Sequence, residues 1–175
     1  MKNYLIISVF LLCAAMPERS EAESFVTDRA SPLKLIKPGK GPALIAQFQG
    51  SVQVSGRLLF IRDLEVRRSR DLRVLFYPDQ VSAKLLPRAA TTAPVKELLI
   101  SNSKEAVSIL LDEATAQKLL NQELRGVEIE ATVTIGEYRS VVECDRRWYL
   151  ARLISAVRKQ EIVVGTRENV GVGCG

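Results

Sequence analysis

Between residues 127 and 135 apolar and polar side chains alternate without a miss. Val127, Ile129, Ala131, Val133 and Ile135 fall on one side of the chain, and Glu128, Glu130, Thr132 and Thr134 on the other. A period of two describes a β-strand with one face in a core and one in water. Tyr138 to Glu143 extends this strand past Gly136. The same period begins at Ser51, where Val52, Val54, Leu58 and Phe60 share one face and Gln53, Ser55 and Arg57 the other. Gly56 marks a bend or bulge in that strand. LRVLFY from Leu72 to Tyr77 is a second strand, and KELLISN holds a short third one. DQVSAKLL makes one or two helical turns before Pro87 stops it. A period near 3.6 appears only in the middle of the chain. Ser103 is the expected cap for KEAVSILL and Asp112 for EATAQKLLNQEL, with Leu119, Leu120 and Leu124 buried and Gly126 as the stop. WYLARLISAVRK, in which Trp148, Leu150, Arg152 and Ile154 alternate with Tyr149, Ala151, Leu153 and Ser155, is the last strand.

The order is strand, strand, strand, helix, strand, strand. This order resembles the OB-fold, a five-stranded, partly open Greek-key barrel with its helical region between the third and fourth strands. The resemblance covers residues 47 to 160 and rests on element order and the bend at Gly56, with no family-specific motif. A mixed sheet with helices on one side fits the same order. The expected class is mainly β, within α+β.

Both ends read differently. The chain has 175 residues, 47% hydrophobic and 26% charged, which suits one domain with a sizeable core. In MKNYLIISVFLLCAAMPERSEA, Lys2 precedes an apolar run from Tyr4 to Met16, followed by Pro17 and the small-residue ending at Ala22. That is the three-part form of a secretory leader over residues 1–22, so the expected destination is the periplasm or the exterior. An uncleaved anchor would leave the domain on the same side of the membrane. Leu12 before Cys13 argues against lipid attachment, which needs a small residue there. Removing Lys2, Arg19, Glu18 and Glu21 leaves the net charge at +5, and no membrane span is expected in what remains. Residues 23–46, with Pro32, Pro38, Pro42, Gly39 and Gly41, read as an extended lead-in without regular structure. Residues 161–175 read as a Gly-rich tail.

Cysteine and histidine usage narrows the chemistry. With Cys13 gone, Cys144 and Cys174 are the only pair in a chain bound for an oxidising compartment, and a disulfide is expected. Closing its loop of about thirty residues contributes roughly 3.5 kcal/mol in the chain-entropy model. There is no histidine, which removes Ser-His-Asp and Cys-His arrangements and most catalytic zinc sites. Arg146 and Arg147 flank Cys144 closely enough to lower a thiol pKa, but the missing base and the partner Cys174 favour an anchor over a nucleophile. Glu128, Glu130, Glu143 and Asp145 are the carboxylates that a glycan-acting enzyme would need. Their alternation describes the solvated face of a strand equally well. No catalytic residue, cofactor or metal is expected.

Arginine is the remaining signal. Arg57, Arg62, Arg67, Arg68, Arg70 and Arg73 crowd the first two strands and their connection, while Arg139, Arg146, Arg147 and Arg152 crowd the last two. In an OB-like barrel these connections flank one ligand face, so the clusters would meet there. Tyr77, Tyr138, Trp148 and Tyr149 offer stacking surfaces beside them, and Arg67, Arg68, Arg70, Arg139, Arg146, Arg147, Trp148 and Tyr149 are the candidate ligand-binding residues. The plainer reading is that they keep an exported protein soluble. Export makes an anionic envelope polymer or an acidic protein a better partner than nucleic acid. The expected function is a non-catalytic exported binding or accessory module, with a protein-directed inhibitor or immunity-type factor as the alternative.

Overall fold

A computed structural model describes residues 24–39, 44–62, 72–121, 123–124, 126–143 and 146–165. Three short or medium strands come first: β1 (Phe25–Val26), β2 (Lys34–Lys37) and β3 (Leu44–Gln49). They lead into β4 (Ser51–Arg62) and β5 (Leu72–Pro78). The single turn α1 (Gln80–Ala83), β6 (Arg88–Ala89) and β7 (Leu98–Ile100) follow, then α2 (Ser103–Leu110) and α3 (Glu113–Leu120). The long strands β8 (Gly126–Glu143) and β9 (Arg146–Gly165) complete the described elements. The molecule is mainly β. Seven strands form one sheet in the order β2-β3-β8-β4-β5-β7-β9, and β8 also pairs with β9. The pairings therefore run from β8 through β4, β5, β7 and β9 back to β8. All are antiparallel except that of β7 with β9, where Leu99 lies beside Leu150 and Ile100 beside Ala151.

Alternation places the core. Leu58 and Phe60 of β4, Val74 and Phe76 of β5, Leu98 and Ile100 of β7, and the five expected apolar residues of β8 are fully buried together. Burying each large side chain contributes about 1.5–3 kcal/mol. Ala106, Val107 and Leu110 of α2, with Leu119 of α3, extend this core. One end is closed by aromatic rings. Phe25 meets Phe48 edge-on at 5.3 Å, Phe48 meets Tyr138 at 5.4 Å, and Tyr138 stacks on Tyr149 at 6.0 Å. The Tyr138 hydroxyl donates to the Pro87 carbonyl at 2.7 Å, so the buried phenol is satisfied.

Several sequence expectations shift. β4 pairs with β8 from Ser51 to Ile61 without a register shift, so Gly56 is no bulge. A Cβ there would lie 2.2 Å from the Tyr77 carbonyl oxygen, and close backbone approach is what the glycine permits. The bend lies between β3 and β4, at Gly50 with φ +108°, and β8 bends beside it at Glu137 with φ 48°. There β8 changes partner, pairing with β4 up to Gly136 and with β3 from Arg139. Residues 23–46 carry β1, β2 and the start of β3 instead of lacking regular structure, and β9 runs through residue 160 to Gly165. Leu120 is exposed rather than buried, because a one-residue step turns it about 100° from Leu119. The N-cap position of α2 is Asn102, not Ser103, and its side chain makes no capping hydrogen bond, while Asp112 caps α3 by accepting from the Thr115 amide at 2.9 Å. The expected leader, all three cysteines and the Cys144–Cys174 bridge lie outside the described residues, among which there is consequently no disulfide.

Candidate functional site

The face opposite the core is less polar than alternation alone would make it. Leu59, Leu75, Leu99 and Leu150 are successive register partners across β4, β5, β7 and β9, and all four point away from the core and are partly exposed. They form an aliphatic row crossing four strands. Beside this row a cavity of about 340 Å³ has Ile61, Leu75 and Leu99 as its floor. Its walls are Arg73 of β5, Glu97 just before β7, and Arg147, Trp148 and Tyr149 of β9. Trp148 is 45% exposed, although it is the largest apolar surface of the site. A large exposed aromatic beside apolar floor and charged walls is the composition of a binding pocket.

The two arginine clusters thus meet through Arg73 and Arg147. Arg147 is half-buried; it donates to the Ser140 hydroxyl at 2.7 Å and lies over the Phe25 ring at 6.0 Å, so its charge is held in place. Tyr149 stands between groove and aromatic core, stacked on Tyr138, its hydroxyl 3.4 Å from that of Thr92. Of the remaining candidates, Arg139 faces Glu137 at 3.7 Å and Arg146 is exposed, and neither lines the groove. Arg67, Arg68 and Arg70 lie outside the described residues, in the connection from β4 to β5. Arg152 pairs with Glu105 at 2.8 Å.

A second, more open depression of about 440 Å³ lies over β4, β5 and β8, lined by Ser55, Gly56, Arg57, Tyr77, Asp79 and Glu130. Arg57 pairs with Glu128 at 3.2 Å and stands over the Tyr77 ring at 5.3 Å. The Tyr77 hydroxyl is pushed above its ordinary pKa, first by burial and then by the nearby Glu97 carboxylate; Arg57 opposes the shift. Of the four carboxylates considered for catalysis, Glu128 faces Arg57 and Glu130 borders this depression. The Glu143 side chain and Asp145 lie outside what is described. Among the described residues no group of three or more histidine, cysteine or acidic side chains could hold a metal, and no helix is long and apolar enough to cross a membrane.

No family model, curated protein or solved structure matches this chain. The groove must be read from its own residues.

Sequence reasoning placed Arg73 in the first arginine cluster but not among the candidate binding residues, and it missed Glu97 and the outward leucines. The signal lay in the runs LLFI, VLF and LLI, which are apolar at every position. A strand buried on one face alternates, as β8 does; an unbroken apolar run marks a strand with apolar surroundings on both faces.

Proposed function

We propose that this chain is an exported, non-catalytic binding module that holds an anionic ligand in the groove of Arg73, Arg147 and Trp148. In this reading β4, β5, β7, β8 and β9 form an OB-like barrel with α2 and α3 between its third and fourth strands. The pairings that return to β8, and the parallel contact of β7 with β9, support that assignment. The observation that carries the function is the meeting of arginines 74 positions apart, Arg73 and Arg147, on one groove beside an exposed tryptophan. A guanidinium keeps its charge at any physiological pH and offers five donors in a plane, which suits carboxylate and phosphate alike. The net charge of +5 draws such ligands in from a distance. Among anionic ligands an envelope polymer and an acidic protein are the candidates, and blocking another exported protein is the form that the second would take.

Two variants with the same change in net charge test the site. Arg73→Ala removes a groove arginine and Arg139→Ala an exposed one outside it. On anionic matrices and acidic ligands, Arg73→Ala is expected to weaken binding about three- to tenfold and to flatten its dependence on salt. Arg139→Ala is expected to behave as the parent protein. Equal behaviour of the two variants would show that any retention is a matter of total charge and that the groove is not the site.

A further inference from the structure

The lining of the groove separates the two classes of anionic ligand. We infer that its occupant is an extended acidic segment of a partner protein that carries a large apolar side chain between its carboxylates, an inference that rests on the groove being the binding site. Ile61, Leu75, Leu99 and Trp148 offer apolar surface. A uniformly charged polymer has nothing to place on that surface and would leave its own charges partly desolvated there. A leucine or aromatic side chain inserted beside Trp148 removes apolar area from water on both partners, and an exposed tryptophan at the centre of a contact is a common energetic anchor.

Glu97 points the same way. It stands in the groove wall between the two arginines' strands, where its negative charge opposes a dense polyanion. A polypeptide brings backbone N–H donors, which a carboxylate accepts; polyphosphate at neutral pH brings only acceptors to such a wall. The aliphatic row sets the length. Four strands about 4.8 Å apart put Leu59 and Leu150 roughly 15 Å from one another, the span of about five extended residues. β5 and β7 have both neighbours occupied by strands of this chain, so the segment lies across the strands and does not join the sheet as one more of them. Arg73 then takes a carboxylate beside the apolar anchor, and Arg147, held on Ser140, adds its positive charge to the same site.

The test selects random displayed peptides of about ten residues, twice the span of the row, against the full protein at physiological ionic strength. Selected peptides, polyglutamate of the same length and polyphosphate are then compared by fluorescence anisotropy. Enrichment of sequences with Asp or Glu around Leu, Phe or Trp, binding about tenfold tighter than polyglutamate, is the expected result. Trp148→Ala should weaken the selected peptides at least about threefold more than it weakens polyglutamate, and Trp148→Phe should restore most of the peptide affinity. Because Trp148 is a surface residue, unchanged circular dichroism keeps the comparison clean. Polyglutamate or polyphosphate binding as tightly as any peptide, with no effect of Trp148→Ala, overturns the peptide inference and leaves an anionic site standing. If no probe responds to Arg73→Ala, or none binds at all, the groove as a binding site is overturned with it.

Discussion

Tyr138 concentrates several constraints in one side chain. It is fully buried between Phe48 and Tyr149, and its hydroxyl spends its only proton on the Pro87 carbonyl. Burial pushes its pKa well above the ordinary value of about 10; the neighbouring Tyr149 adds to this and Arg147 opposes it. The sign of the consequence follows from which state loses the proton first. Below about pH 10 both folded and unfolded chains hold it and stability does not depend on it; above that, the unfolded chain ionises while the folded one does not, and stability falls as pH rises toward the folded value. Tyr138→Phe should cost about 1–2 kcal/mol at neutral pH through the unsatisfied carbonyl, and should fall less steeply between about pH 9 and pH 11 in urea titrations. Parallel slopes for the two proteins would show that the buried phenol does not carry this term. Tyr138 was legible as an extension of β8 past Gly136. Its hydroxyl partner was not, because Pro87 lies 51 residues away and no local pattern joins them.

At the scale of elements, Asn102 shows how the helices are attached to the sheet. Its side chain accepts from the Leu153 amide at 2.9 Å and donates to the Leu153 carbonyl at 2.9 Å, so one amide group pairs β9 just where β7 ends. It also donates to Glu105 in the first turn of α2. Asn102→Ala leaves both backbone groups of Leu153 without these partners and should lower stability by about 1–3 kcal/mol. Faster hydrogen exchange at the Leu153 amide, with β4 amides unchanged, is the local signature expected; uniform acceleration would mean that the bond has no particular role there. The elements that sequence described well, β4, β8 and α3, are those whose period or cap is written in consecutive residues. β2 and β3 were hidden because prolines and glycines surround them and their pairing partners are distant: β3 runs beside residues 139–142 of β8. The apolar row of the candidate groove was hidden for another reason. Its leucines sit between core positions of the same strands, and without the sheet there is no way to assign an apolar run to two faces.

For the whole molecule the governing quantity is charge that does not change. The chain carries 25 lysines and arginines, 20 acidic residues and no histidine, and this composition was legible from the outset. Histidine is the side chain whose ordinary pKa places its titration between about pH 5 and 8. Carboxylates ordinarily ionise below that window and lysines and arginines lose their protons above it. Arginine side chains as a class keep their charge across that window, and so do the carboxylates of an acidic ligand. Affinity for such a ligand should be flat from about pH 5.5 to 7.5 while falling steeply with salt, because screening acts on fixed charges and protonation does not. Binding measured over a grid of pH and ionic strength checks both halves together. A bell-shaped or stepped pH profile in that window would require a titrating group with a strongly displaced pKa in the contact, and the binding reading built on permanent arginine charge would then give way to one in which the site takes up or releases a proton.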